Sequence, residues 1–472
     1  MLGGCDTRPK LKVVIQDFPA ELLAVIFTHA YPFREFRQFY RACDAELPFV
    51  PSFSIPYVCK LWHDVCFAAR LHCGVDFCIA PSEVVNAYCA ATHPYTIHVR
   101  VSASLEDSCP DKPLILRNCA RIETISFVLD DENDFTGFED LHMPALQTMD
   151  LSRDPQLIFG DPEVPERLFV STPQLTSLGI DLKRFPTGTR LPWSQLRTLC
   201  IRSTVDGIND WLNCVASSCH ALDTLMLVQF VEYIQIGLDP FGVEEAENIN
   251  STRILLPHLR VLFIDHSSSA TADILARIDA PSLSTIALNA GRPVVTAIRT
   301  FVERSACNIQ TGVLFCDHED SDPDVARDFV DATAVKALEI LCGKRGNCGA
   351  FAEMLGDLVS CGDHSKELQA LSFLSKDTVA CRRVIERISC QSTSDQDQDP
   401  TSTSICPSLR ELRLGVSRED LRFDKLDRLS EKFEIYLSCE SSLRMYFPAA
   451  LQHYIRNEKQ ISSRRGILDF GL

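Results

Sequence analysis

The side chains with the greatest reach for chemistry are thiols and an imidazole in the last third of the chain: Cys342, Cys348, Cys361 and His364. Thiolate and imidazole together bind soft metal ions, and a thiolate beside a base is a nucleophile. The spacing argues against both. The chain has 21 cysteines but no Cys-x-x-Cys pair, the usual seed of a structural zinc site. Cys59, Cys66 and Cys73 recur every seven residues, which on a helix is one face and reads as core packing. The acidic run Asp317-His-Glu-Asp-Ser-Asp-Pro-Asp324 lacks the glycine and terminal glutamate of a calcium loop and reads as a solvated turn. No phosphate-binding Gly-x-x-x-x-Gly-Lys-Ser/Thr loop, Gly-x-Ser-x-Gly elbow or His-Glu-x-x-His helix occurs. The sequence therefore predicts no catalytic residue, no metal ligand and no cofactor, and function is expected on a surface.

The bulk composition narrows the partners. Sixty-four acidic against 46 basic residues give a net charge of −18, the wrong sign for a phosphate backbone, so no nucleic acid is expected. The first 17 residues lack the apolar core of a signal peptide, and no run is long and apolar enough for a membrane span. The expected setting is the cytosol or nucleus, where cysteines stay reduced and behave as small hydrophobes. With 46% hydrophobic and 23% charged residues the chain reads as folded, and 472 residues exceed one small core.

Positioning elements emerge from an internal repeat. Apolar-x-apolar doublets start at Val99, Ile125, Met149, Leu178, Leu199, Leu225, Leu262, Ile286, Val313, Leu338, Leu371 and Leu412. Their steps are 26, 24, 29, 21, 26, 37, 24, 27, 25, 33 and 41 residues, most of them near the roughly 20–29 of leucine-rich repeats. The fullest copies are Pro144-Ala-Leu-x-x-Met-x-Leu151, Pro173-Gln-Leu-x-x-Leu-x-Ile180, Pro257-His-Leu-x-x-Leu-x-Ile264 and Pro407-Ser-Leu-x-x-Leu-x-Leu414. One such strand cannot bury its apolar side alone, so units must stack, and the chain must return by a crossover. Helix-spaced residues between doublets fit that return: Ile208, Trp211, Leu212 and Val215; Phe351, Met354, Leu355 and Leu358; Val384, Ile385 and Ile388. The predicted class is α/β, an irregular solenoid with parallel strands on a concave face and helices or loops on a convex one. An ordinary α/β domain with scattered strands fits twelve serial units less well. The stretch 389–404, almost all Ser, Thr, Asp and Gln, predicts a loop without order.

Near the start, Asp17-Phe-Pro-Ala-Glu-Leu-Leu-Ala-Val-Ile-Phe27 places proline and glutamate in a first helical turn, with Leu22 and Ile26 on one face and Leu23 and Phe27 on the next. Downstream, Val58, Leu61, Trp62 and Val65 form an amphipathic stripe. This pair resembles the F-box. More narrowly, it is similar to the F-box proteins with irregular leucine-rich repeats expanded in mushroom-forming fungi. The resemblance implies a substrate receptor of an SCF-type cullin-RING ubiquitin ligase, docked on the Skp adaptor and through it on a cullin. The residues it implies at the adaptor are Phe18, Pro19, Leu22, Leu23, Ile26, Phe27, Val58, Cys59, Lys60 and Trp62, with Trp62 and Val65 more internal and Pro19 and Leu22 more exposed. Each well-buried anchor is worth ~1.5–3 kcal/mol.

Two domains follow: an F-box-like module over 1–80, with an insertion at 31–53 rich in Phe, Tyr and Arg, and a repeat domain over 81–472. Strand positions beside the leucines would face an unidentified target protein; Asp150, Arg197, Met226, Arg260, Phe263 and Arg413 are the candidate contacts. A repeat scaffold that recruits no ligase is the alternative. An enzyme using a thiol or a metal among the cysteines is a third reading.

Overall fold

The computed structural model describes residues 19–20, 22–23, 60–68, 75–76, 82–101, 112–129, 141–153, 172–181, 192–203, 208–229, 253–316, 322–342, 348–360, 367–375, 378–394, 408–414 and 434–437. Of the site residues expected at the adaptor, Phe18, Ile26, Phe27, Val58 and Cys59 lie outside these, as do the 31–53 insertion, Cys361 and His364.

The strands run β1 (Val75–Asp76), β2 (Ile97–Val101), β3 (Ile122–Leu129), β4 (Thr148–Arg153), β5 (Ser177–Asp181), β6 (Thr198–Ser203), β7 (Thr224–Gln229), β8 (Ile254–Leu255), β9 (Val261–Asp265), β10 (Ile278–Asp279), β11 (Thr285–Asn289), β12 (Thr311–Phe315), β13 (Ala337–Cys342), β14 (Ala370–Ser375), β15 (Glu411–Leu414) and β16 (Glu434–Leu437). Fourteen of them form one open, 14-stranded sheet in chain order, with β8 and β10 pairing apart from it. The pairings are parallel, so each strand is followed by a return to the same edge. The helices are α1 (Lys60–Ala68), α2 (Ser82–Ala91), α3 (Lys112–Asn118), α4 (Ile208–Ser218), α5 (Ser268–Arg277), α6 (Arg292–Ser305), α7 (Asp324–Thr333), α8 (Cys348–Ser360) and α9 (Thr378–Ser394). Every residue named above as helix-spaced between doublets falls in α4, α8 or α9 and is buried.

Register explains why this order is stable. Leu199, Leu225, Leu262 and Ile286 are lateral neighbours, and Ile201, Leu227, Ile264 and Leu288 form the next row. These rows and the buried sides of the helices make one continuous core. The same backbone contact repeats at the strand starts. The carbonyl of Arg197 accepts from the N–H groups of Asp223 and Thr224, that of Asp223 from Arg260 and Val261, and that of Arg260 from Ser284 and Thr285. Units locked in this way contact chiefly their neighbours, the solenoid-like arrangement that the sequence repeat implies.

Three features differ from the sequence reading. The doublet Val313-x-Phe315 is displaced by one residue. Gly312 pairs with Ile286 and Leu338, and Leu314 with Leu288 and Ile340, so Gly312 and Leu314 take the inward places. A side chain at 312 has no room, because an added Cβ would lie 2.3 Å from Cε1 of Phe329 on α7. The Phe329 ring supplies the apolar volume that the glycine lacks. Second, α9 continues to Ser394, through the first residues of the loop predicted over 389–404; a helix already anchored by Val384, Ile385 and Ile388 adds further turns at low cost. Third, the sheet starts at Val75, ahead of the expected boundary at residue 80.

Candidate functional site

Alternation along each strand sends the remaining residues to the face opposite the helices. Its central lateral row reads Ser126, Asp150, Gly179, Cys200, Met226, Phe263, Ala287, Val313, Glu339, Ser372 and Arg413. Four of the six predicted target contacts, Asp150, Met226, Phe263 and Arg413, therefore stand in one line. Arg197 and Arg260 sit one step before their strands, in the row whose carbonyls make the repeated backbone contact.

The line is not uniformly accessible, which corrects the expectation of exposed strand residues. Met226 and Phe263 are 0% and 2% exposed, and Asp150 is 1%. Lateral packing is the physical reason: Cys200, Met226, Val228, Phe263, Ala287, Val313 and Phe315 form a second apolar cluster, with Leu341 against it. The Phe263 and Phe315 rings meet edge to face at 5.1 Å between centroids. Asp150 is held by the Ser126 hydroxyl, which donates to its carboxylate at 3.0 Å. Burial raises the Cys200 thiol well above its usual range, and the nearby Asp150 charge adds to the rise, so Cys200 is no nucleophile.

Arg197, Arg260 and Arg413 are exposed. Arg260 makes a 2.6 Å ion pair with Asp223, and Arg413 pairs with Glu411 on its own strand. The face thus has an apolar middle, an acid and hydroxyls toward β3 and β4, and charged residues toward β13 and β15. That arrangement can bind a chain by shape and charge. Among the described residues, no group of three or more His, Cys, Asp or Glu is placed to hold a metal. Of the acidic run, Asp322 is a described residue; its carboxylate pairs with Arg292 and accepts from the N–H of Asp324, the first residue of α7, at 3.0 Å. Those bonds hold the Asp322 carboxyl below the usual range.

The sequence reading missed a third inward row at the strand ends: Ser203, Gln229, His266, Ala290, Cys316, Cys342 and Ser375, all buried except the half-buried Gln229. Polar and thiol side chains there break the leucine pattern, and that break was the available signal. His266 is 1% exposed and, among the described residues, neither ring nitrogen has a hydrogen-bond partner; burial pushes its pKa down to about 4, so the imidazole is neutral.

At the N-terminal end, the Pro19 carbonyl accepts from the N–H groups of both Leu22 and Leu23 at 3.0 Å, opening a helical turn. Pro19 is exposed and Leu22 is 42% exposed, while Leu23 is fully buried. On α1, Lys60 and Leu61 are exposed, Trp62 is half-buried and Val65 is buried.

The sequence matches no protein-family model and no curated protein.

Proposed function

We propose that this chain is a non-catalytic substrate receptor of an SCF-type ubiquitin ligase. Its N-terminal helices would dock on the Skp adaptor, and the repeat face would hold a target protein near the ubiquitin-carrying partner. Acceleration in such an assembly comes from proximity, not from side chains of this chain.

The observation that carries the reading is the exposure of Leu22 and Leu61, 42% and 39%, in the two segments that resemble the F-box. A large aliphatic side chain left in water forgoes burial worth ~1.5–3 kcal/mol. Its neighbours Leu23 and Val65 do pack inward. Each segment therefore spends one apolar residue on its own core and keeps another outward, as a docking element does. The target side would be the line from Asp150 to Arg413, with Arg413 as an accessible member and the exposed Arg197 and Arg260 beside it.

Co-expression of the full chain with a fungal Skp adaptor and affinity purification of one partner is the test. A stoichiometric complex, lost on Pro19→Ala/Leu22→Ala/Ile26→Ala substitution in a chain whose circular dichroism is unchanged, supports the receptor. Absence of the complex with the intact chain favours the repeat scaffold that recruits no ligase.

A further inference from the structure

Four buried thiols gather where β12 and β13 end and α8 and α9 begin. The Cys342 thiol hydrogen-bonds with those of Cys316 and Cys348, and Cys381 lies close enough to interact with it electrostatically. The leucine-rich core does not need them, and the proposed docking functions do not use them.

Register selects one pair. Phe315 stands opposite Leu341 in the parallel ladder, and the Cys316 N–H donates to the Leu341 carbonyl at 2.9 Å. Cys316 and Cys342 are therefore the next lateral neighbours. Both lie two residues beyond an inward residue, Leu314 and Ile340, so they share the helix side of the sheet. Adjacent strands run about 4.8 Å apart, inside the roughly 4.4–6.8 Å Cα separation that a disulfide spans. Cys348 is the first residue of α8 and has no such register with Cys342.

We propose that Cys316 and Cys342 form a reversible disulfide that staples two neighbouring repeats under peroxide. Cys342 keeps 7% exposure while Cys316 has none, so Cys342 meets the oxidant first. Its thiolate attacks one oxygen of hydrogen peroxide, the O–O bond breaks, and a sulfenic acid forms as hydroxide leaves and is protonated to water. The Cys316 sulfur then attacks the sulfenic sulfur, the S–O bond breaks, and a second water leaves with the thiol proton. Two thiols and one peroxide become one disulfide and two waters. The neighbouring Cys316 thiol and burial hold the Cys342 thiol well above its ordinary range, so thiolate is scarce. The bridge accordingly forms slowly, in answer to sustained oxidant. Its effect is to tie together the strands whose opposite faces carry Phe315, Glu339 and Leu341.

The test treats the intact folded chain with hydrogen peroxide, alkylates the remaining thiols, and maps peptides by mass spectrometry without reduction. The expected result is a Cys316–Cys342 linked peptide that dithiothreitol removes and renewed peroxide restores. The Cys348→Ser variant should form the same link, and Cys316→Ser should leave Cys342 as a sulfenic acid trapped by dimedone. Recovery of Cys316 and Cys342 as alkylated thiols after the treatment, or a Cys342–Cys348 link in their place, overturns the proposal. The map of the unsubstituted chain decides the question even if a variant does not fold.

Discussion

Replacing Gly312 by valine tests the one-residue displacement of the β12 register. If Gly312 points inward, as its pairing with Ile286 and Leu338 requires, the new Cβ arrives 2.3 Å from Cε1 and 2.7 Å from Cζ of Phe329. An ordinary contact begins near 3.4 Å, so the ring must retreat by about 1.1 Å within a core where Phe329 is 1% exposed. Overpacking of this kind costs ~1–3 kcal/mol, more than the gain from valine's preference for strands. Expressed as native-state hydrogen exchange at the amides of Val313–Phe315, that is about 5- to 150-fold faster exchange. The partner change makes the test specific. Phe329→Ala alone leaves a cavity costing ~3–5 kcal/mol, and adding Gly312→Val to it should restore part of the loss. Strictly additive effects in this cycle, or a neutral Gly312→Val, would refute the register and return Val313 to the inward position.

Other outcomes follow from burial. His266 has a folded pKa of about 4 against an ordinary 6.5, so the unfolded chain takes up the proton first; stability should fall between pH 6.5 and 4 by up to about 3 kcal/mol, and His266→Leu should flatten that part of a urea-midpoint profile. Arg304 pairs with Asp279, donates to the Leu275 and Ile278 carbonyls at 2.7 and 2.6 Å, and lies over the Phe301 ring, so Arg304→Ala should cost ~2–3 kcal/mol in equilibrium unfolding. The Arg292–Asp322 pair is its control: the Arg292 side chain is 82% exposed, and Arg292→Ala should leave the midpoint unchanged. On the target face, Met226→Ala should destabilise by ~2–5 kcal/mol, whereas Arg197→Ala and Arg413→Ala should leave unfolding unchanged and alter only partner binding.

Much of this architecture was legible because parallel repeats write themselves as a period: Leu199-x-Ile201, Leu225-x-Leu227 and Leu262-x-Ile264 announce strands whose inward residues must align. The period fails where another element supplies the volume, as Phe329 does above Gly312, since sequence alternation cannot register a ring arriving from the next helix. It also fails at Ser389–Ser394, where composition favours disorder and attachment to an anchored helix decides otherwise. Of the target-face residues, the line containing Asp150, Met226, Phe263 and Arg413 could be placed by alternation alone. Their burial could not, because it depends on which apolar side chains become lateral neighbours across several repeats. The His266 and Cys316 row was legible only as a break in the leucine pattern, and its interest lies in contacts between strands more than twenty residues apart.

The most direct test of the central claim is calorimetric titration of the purified chain with purified Skp adaptor, comparing the native sequence with Leu22→Asp and Leu61→Asp. Both leucines are exposed, so each variant should keep the native circular dichroism and melting curve. The account predicts one-to-one binding by the native chain and at least a tenfold loss of affinity in either variant, equivalent to about 1.4 kcal/mol. Equal binding by all three chains, or none by the native one, would contradict it.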